Sequence, residues 1–211
     1  GGWVNKHIIS DLPQTHKDAY EQFNHAPMLV ANVALTNWRF LKKLGITAYQ
    51  WSGGFGFHTN IRKPMHVGNY KPDLDPDKPI TLTFYVSFEK TNQGLSAKEQ
   101  SRLGQYEMLG KSFMQYEREI REQMVRMFSS SGFDPKNDIA GIILNRWGHA
   151  YVTPTPGFFY TPEGDPGYAD IIKTQPFGRV SFGHSELRGY QHWGPAAAEG
   201  SRAVDQISEY I

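Results

Sequence analysis

The alternation of apolar and polar residues predicts several strands in the first two thirds of the chain. Residues 28–35 (MLVANVAL) form an apolar run of strand length, and residues 79–88 (PITLTFYVSF) alternate along their length. A period of two is typical of a strand with one face against a core. Residues 139–145 predict a third strand. Residues 48–57 place aromatic side chains around a glycine pair, which indicates either a packed hairpin or the wall of a substrate pocket.

Helical spacing predicts one long helix in the middle of the chain. Ser96 and Glu99 match a capping box, and apolar residues then recur every three or four positions to about Phe128. Such a helix would span about 45 Å, with two glycines, Gly104 and Gly110, as points where it bends or breaks. Shorter helices are predicted at residues 13–24 and 38–44, the second ended by a glycine.

The last thirty residues have the pattern of a strand, a turn and a helix. Residues 179–182 predict a short strand, Gly183 a turn, and Glu186 a carboxylate just beyond it. A helix is then predicted from Pro195 to about Ile207, since proline is well tolerated at a first helical position.

Small residues surround the start of this last helix, where Gly194 and Ala196 flank the proline. Backbone N–H groups that no side chain covers, together with the positive end of the helix dipole, form a good binding site for an anion. From spacing alone, this region is either such a binding site or simply the strand and helix that close an α/β domain.

Composition and charge narrow the classes of function. With 22 basic and 21 acidic residues, the net charge of +1 gives no argument for a nucleic-acid or membrane surface. The absence of cysteine excludes disulfides, thiolate metal sites, a cysteine nucleophile and a thioether-linked flavin within this chain. No apolar run reaches the roughly eighteen residues of a membrane helix.

Several catalytic motifs are missing. Residues 104–112 (GQYEMLGKS) resemble a phosphate loop, but five residues separate the glycines instead of four and no strand precedes them. The chain has no G-x-G-x-x-G turn after a strand and no G-x-S-x-G elbow, and its eight histidines show no zinc-binding spacing.

Four segments carry a family resemblance. They are residues 179–186 (RVSFGHSE), 199–203 (EGSRA), 132–157 (GFDPKNDIAGIILNRWGHAYVTPTPG) and 26–46 (APMLVANVALTNWRFLKKLGI). Together they resemble the flavin-dependent amine oxidase superfamily, and within it the bacterial spermidine dehydrogenases. Two departures stand out: His184 replaces a small residue, and residues 192–195 (HWGP) replace a Gly-Tyr-Met-Glu-like run.

The resemblance implies an α/β fold made of an α+β substrate domain and the last strand and helix of a Rossmann-like FAD-binding domain. Residues 1–150 would be part of the substrate domain, 151–177 an irregular loop, and 178–211 the strand, turn and helix. The dinucleotide-binding glycine turn would lie in an N-terminal half, in the same precursor or a separate chain. A first residue that is not Met agrees with the expectation of a fragment or processed subunit.

The implied activity is that of an FAD-dependent amine dehydrogenase acting on a polyamine such as spermidine. Hydride would pass from the carbon beside a secondary amine to flavin, and the imine would hydrolyse to an aldehyde and an amine. Haem b is a second cofactor that the resemblance allows. The periplasm is slightly favoured over the cytoplasm, although no signal peptide opens the chain.

The resemblance also implies site residues. Glu186 would contact a ribityl or neighbouring hydroxyl of the flavin, and the N–H groups around Gly194 and Ala196 would face its N1–C2=O edge. The expected cofactor-binding residues are Gly183, His184, Ser185, Glu186, Trp193, Gly194 and Ala196. The expected residues beside the reacting amine are His149, Tyr151, His192 and Trp193.

Two other functions remain open. One is a non-catalytic binding or assembly subunit that kept the fold, which the missing glycine turn favours. The other is a flavoenzyme of the same superfamily that acts on a different amine or on a desaturase-type carbon pair.

Overall fold

A computed structural model describes residues 1–62, 65–161 and 163–208. In chain order, the α-helices are α1 (Asn5–Ile8), α2 (Gln14–Glu21), α3 (Arg39–Leu44), α4 (Ala97–Gly110), α5 (Phe113–Phe128), α6 (Tyr168–Thr174) and α7 (Trp193–Ser208). The strands are β1 (Asn24–Leu35), β2 (Ala48–Gln50), β3 (His58–Ile61), β4 (Ile80–Ser87) and β5 (Ile139–Thr153). Short 3-10 turns lie at Gly2–Val4, Ser129–Ser131 and Ser185–Arg188.

The chain divides into two compact units that interleave along the sequence. The central unit comprises residues 27–88 and 105–147, and the terminal unit comprises residues 1–26, 89–104 and 148–211. The predicted division at residues 150 and 177 followed chain order, whereas each compact unit is built from separated segments.

The central unit contains a five-stranded sheet in the order β2-β3-β4-β1-β5. The pairs β2–β3, β3–β4 and β4–β1 are antiparallel. Burial alternates along β1, and its buried residues Leu29, Ala31 and Val33 share one face. Ala31 and Val33 pack in an apolar cluster that includes Phe40, Leu41, Ile120, Met124 and Phe128 from α3 and α5, and Leu29 packs in a second cluster with Met108 and Tyr116. The predicted strands at 28–35, 79–88 and 139–145 are therefore confirmed, and the third extends to residue 153.

The predicted long helix up to Phe128 is two helices in the structure, and the break lies at Gly110, one of the two glycines where a bend or break was expected. The Ser96 capping box is present, with the Ser96 N–H donating to Glu99 Oε2 at 2.8 Å. The helix ends at Gly110, however, and Ser112 forms a second capping box with Gln115 that starts α5. A glycine destabilises a helix and an N-cap serine starts one, so their proximity splits the apolar stripe.

The terminal unit has its own apolar core around α2, α6 and the aromatic loop after β5. Its buried members include Leu12, Tyr20, Phe23, Phe158, Tyr168, Ile172 and Phe182. Many of these rings meet edge to face, as Phe23 and Tyr168 do with centroids 5.1 Å apart. Such contacts between aromatic edges and faces are favourable beyond the apolar area that they bury.

The predicted strand at residues 179–182 is not a strand here. The structure shows a single antiparallel bridge between Phe177 and Val180, closed by a turn at Gly178 with a φ of 56°. Strand backbone needs hydrogen-bonding neighbours on its edges. Within the described residues, nothing beyond that bridge pairs with this segment as a ladder.

Among the described residues, no helix is both long and apolar enough to cross a membrane.

Candidate cofactor and active site

A buried carboxylate, Glu186, is the centre of the candidate site in the terminal unit. It lies in the 3-10 turn Ser185–Arg188, and only 2% of its surface is exposed. The His184 ring caps this turn, because its Nδ1 accepts the Glu186 N–H at 3.1 Å. Gly189 ends the turn with a φ of 79°, a conformation that glycine adopts without strain. Local sequence thus directs the Glu186 side chain inward.

Three groups of the chain hold the Glu186 carboxylate. The Gly2 N–H donates to Oε2 at 3.0 Å, and His25 Nε2 lies 3.1 Å from Oε1. His184 Nδ1 lies 3.7 Å from the same oxygen. His25 Nε2 makes no hydrogen bond of good geometry, so its contact with Oε1 is a close polar contact. His25 is itself 4% exposed, which makes the pair a buried one.

Burial and partners act in opposite directions on the Glu186 pKa. Burial alone raises it, because a carboxylate loses its hydration. The contacts and positive charge of His25, the charge of His184 and the Gly2 N–H together outweigh burial, so the pKa is lowered from its ordinary value of 4.5. Glu186 is therefore an anion at neutral pH.

The first residues of the chain approach Glu186 closely because they are glycines. A Cβ atom on Gly1 would lie 2.5 Å from Glu186 Oε1, and one on Gly2 would lie 3.2 Å from the Tyr20 ring. The glycine pair therefore allows a backbone N–H to reach the buried carboxylate. The sequence gives no sign of this contact, because two adjacent glycines carry no pattern of their own.

Aromatic rings lie next to His25, which contacts the Glu186 carboxylate. The His149 ring stacks on Trp3 at 4.6 Å and meets the His25 ring edge-on at 5.5 Å. Partial burial and then the nearby positive charge of His25 lower the pKa of His149. His149 is thus favoured as a neutral imidazole, which can both donate and accept a hydrogen bond.

A pocket of about 180 Å³ opens beside the carboxylate, and its lining includes Asn5, Tyr20, Gly183, His184 and Glu186. Tyr20 presents a neutral phenol there. Burial raises its pKa to about 12, opposed by the hydrogen bond from Asn5 Nδ2 and assisted by the negative charge of Glu186. The pocket is therefore lined by one anion, one phenol and one imidazole, that of His184.

The glycine of the turn brings α7 close to the site. A Cβ atom on Gly183 would lie 2.8 Å from the carbonyl oxygen of Glu199. The buried Glu199 side chain binds Arg188 Nε at 2.5 Å and Arg202 Nε at 2.8 Å. Arg202 also donates to the backbone oxygens of Lys173 and Phe182. These contacts of residues 199–203 therefore hold α7 against the turn that carries Glu186.

The start of α7 differs from the expectation. The helix begins at Trp193, so Pro195 is its third residue and still lies in the first turn, where a missing N–H costs little. The Ala196 N–H is bonded to the His192 carbonyl at 3.1 Å and is not free. Within the described residues the Gly194 N–H has no such partner, so it is the available donor of the predicted pair.

The structure gathers some predicted site residues and not others. Gly183, His184, Ser185 and Glu186 form one turn, and His149 joins them through His25. Trp193 and Tyr151 are 78% and 44% exposed, and His192 is exposed beside Trp193. His25, Trp3 and Tyr20 complete the group and were missed, since an isolated histidine in an apolar strand indicates no ligand or pair.

The residues fit an FAD contact of limited extent. A carboxylate has about four acceptor positions, so Glu186 retains capacity for a hydroxyl donor after its bonds within the chain. The pocket is well below the 300–1,000 Å³ that is typical of small-molecule sites. This unit would therefore hold only part of a dinucleotide. The histidine contacts give no support to haem ligation.

Three solved structures share the fold of this chain. A double mutant of putrescine oxidase, made by structure-based redesign of cofactor binding, aligns with 99% of the chain at 15% sequence identity, with a TM-score of 0.59. Cyclohexylamine oxidase from Brevibacterium oxydans IH-35A aligns with 96% at 15% identity, with a TM-score of 0.61. A single mutant from the same redesign of putrescine oxidase aligns with 100% at 14% identity, with a TM-score of 0.61. The chain has the fold of part of these oxidases.

The alignments cover 41%, 39% and 41% of these three oxidases, so the chain spans about two fifths of their length. No family model and no curated protein matches the sequence.

Proposed function

We propose that this chain is the substrate-side and C-terminal portion of an FAD-dependent amine oxidoreductase that oxidises polyamines of the spermidine type. The observation that carries the proposal is the alignment of nearly the whole chain with part of two amine oxidases. The buried, anionic Glu186 beside a pocket supports it, because the resemblance assigns that residue to the flavin. The remaining part of the flavin fold, with its glycine turn, is the expected partner.

When bound, FAD supplies the acceptor for a hydride from the carbon beside the amine nitrogen. Glu186 would hold a cofactor hydroxyl, with His25 and the Gly2 N–H fixing the orientation and charge of its carboxylate. The Gly194 N–H at the start of α7 would stabilise negative charge on the cofactor. The exposed Trp193 and Tyr151 rings would present aromatic faces to a cationic amine.

The test is to prepare the 211-residue chain alone and together with the remaining part of the flavin fold, each with excess FAD. We expect bound flavin, seen as visible absorbance after gel filtration, only in the combined preparation. Putrescine or spermidine should then bleach that absorbance without oxygen. A chain that binds FAD stoichiometrically by itself would contradict the division of the site. A combined, folded protein that ignores FAD would support the non-catalytic subunit instead.

A further inference from the structure

A row of polar side chains crosses the sheet of the central unit on the face opposite its apolar core. The register pairs Asn32 of β1 with Thr83 of β4, and Thr83 with Asn60 of β3. Because side chains alternate between faces along a strand, these three project away from the face that carries Ala31 and Phe84. One row along, His58 pairs with Tyr85 on the same face, with ring centroids 5.7 Å apart.

One acceptor in this row is buried without a partner. Within the described chain, nothing donates a hydrogen bond to Asn60 Oδ1, although that atom is shielded from solvent. The NH₂ group of Asn60 is turned toward His58 Nε2 at 3.4 Å. Buried polar atoms are nearly always paired, and an unpaired one in a folded protein calls for an explanation.

The row offers acceptor oxygens from two of its residues. The Thr83 hydroxyl proton is used in a 2.8 Å bond to Asn32 Oδ1, and Thr83 itself is fully buried. The oxygen lone pairs of Thr83 and the free Oδ1 of Asn60 therefore remain as acceptors. A ligand group that only donates hydrogen bonds complements them, and a protonated primary amine, with three donors and no acceptor, is such a group.

Aromatic rings lie beside this acceptor pair. Tyr85 and His58 are half-buried on the same face, next to Asn60 in the register. A cation near the face of a tyrosine ring is stabilised electrostatically. The strands also hold these groups rigidly, as a site on regular secondary structure does.

We propose that Asn60, with Thr83 and the neighbouring Tyr85 ring, binds the terminal ammonium group of an alkyl di- or polyamine. This assignment rests on the proposed function and adds residues that determine which amine is bound. Asn60 acts here through binding, so its loss should raise the amine concentration required and leave flavin content unchanged.

The test uses the complete flavoprotein with its FAD reduced beforehand by dithionite, so that amine binds without turnover. Putrescine is titrated into the parent, Asn60→Leu and Asn60→Asp, and the melting temperature is recorded. 1,4-Butanediol, of the same length but without charge, is the control ligand. We expect Asn60→Leu to need about tenfold more putrescine for the same rise in melting temperature, since it removes an acceptor for a charged donor. Asn60→Asp should keep the rise, and the diol should cause none.

Asn60→Leu should also melt no lower than the parent without ligand, because an unpaired buried oxygen is replaced by an apolar group. An equal putrescine shift in the parent and Asn60→Leu would overturn the assignment and leave an ordered water as the partner of Asn60. The lack of any shift in the parent would overturn it too. Flavin content and its bleaching by putrescine in the oxidised parent test the proposed function separately.

Discussion

Replacing Glu186 by Gln tests whether the buried carboxylate organises the terminal unit. The substitution keeps the size of the side chain and an oxygen that can accept the Gly2 N–H. It removes the negative charge that faces His25 at 3.1 Å and His184 at 3.7 Å. The perturbation is therefore electrostatic and creates no cavity.

The magnitude follows from burial. The Gly2 N–H donates to a charged carboxylate, a kind of hydrogen bond that contributes about 1.5–3 kcal/mol. Glu186 and His25 are 2% and 4% exposed, so solvent screens the contact between them weakly. We expect Glu186→Gln to lower stability by about that amount. In a chain of 211 residues that loss would lower the melting temperature by roughly 3–12 °C, and in a longer complete protein by less.

The direction of the Glu186 pKa shift determines how stability changes with pH. The folded-state pKa of Glu186 is lowered from 4.5, so its contribution is fully present above the unfolded value and is lost as pH falls through the folded one. The parent should therefore lose stability in acid faster than Glu186→Gln, and the two melting curves should converge there.

The assay is thermal unfolding of the complete protein by circular dichroism, with and without FAD, from neutral pH into acid. Glu21→Gln is a matched control: its pKa is also lowered, chiefly by the hydrogen bond from Lys6, but its side chain is 55% exposed. Exposed pairs contribute about 0–1 kcal/mol, so that variant should barely change. Equal effects of the two substitutions would refute the reasoning. A larger Glu186→Gln effect with FAD than without it would indicate an added contact to the cofactor.

Three further predictions concern the turn, α7 and Tyr151 of β5. Gly183→Ala should lower stability by about 1–3 kcal/mol in denaturant unfolding, because its Cβ would lie 2.8 Å from the Glu199 carbonyl oxygen. Gly200→Ala is the control: it has open space around it and should stabilise the helix by about 0.5–1 kcal/mol. If both alanines behave alike, the close approach is not limiting. Glu199→Gln removes the negative charge that two guanidinium groups share and should cost about 1.5–3 kcal/mol by the same measurement. A loss below 1 kcal/mol would mean that solvent already screens these contacts. Trp193→Ala and Tyr151→Ala remove largely exposed rings, so they should leave stability and flavin content unchanged while lowering amine turnover in a kinetic assay. Parent rates in both would remove these rings from the amine site.

Most of the central unit could be predicted from sequence, because its signals are local. The alternation of apolar and polar residues along β4 and the apolar run of β1 were sufficient to predict these two strands. Gly45 ends α3 with a φ of 69°, as expected of a glycine at the C-terminus of a helix. The prediction of one continuous helix failed at Gly110 and Ser112, where the apolar stripe continues past the end of α4 and the N-cap of α5. Periodicity records which residues are apolar, and it cannot distinguish one helix from two that share a stripe.

The candidate site was predictable only in part, because half of it is built by tertiary contacts. Glu186 and its turn follow from eight consecutive residues and from the family resemblance. The groups that hold the carboxylate come from Gly2 and His25, which are 184 and 161 positions away. No spacing rule connects such distant residues, and only the folded chain places them beside one carboxylate.

Glu186 and Glu199 illustrate two uses of a buried carboxylate. Glu199 is held by two arginines, and other donors of Arg202 bind the backbone carbonyls of Lys173 and Phe182, so the Glu199 oxygens serve to hold α7 in place. Glu186 has imidazoles and one backbone N–H as partners, and it lines a pocket. Guanidinium groups stay charged at any physiological pH, whereas imidazoles change charge near neutrality. Arginine partners suit a carboxylate that only holds the structure together. A carboxylate that also binds a ligand needs partners that occupy fewer of its acceptor positions. On that physical ground, Glu186 is the acidic residue of this pair to which a ligand contact should be assigned.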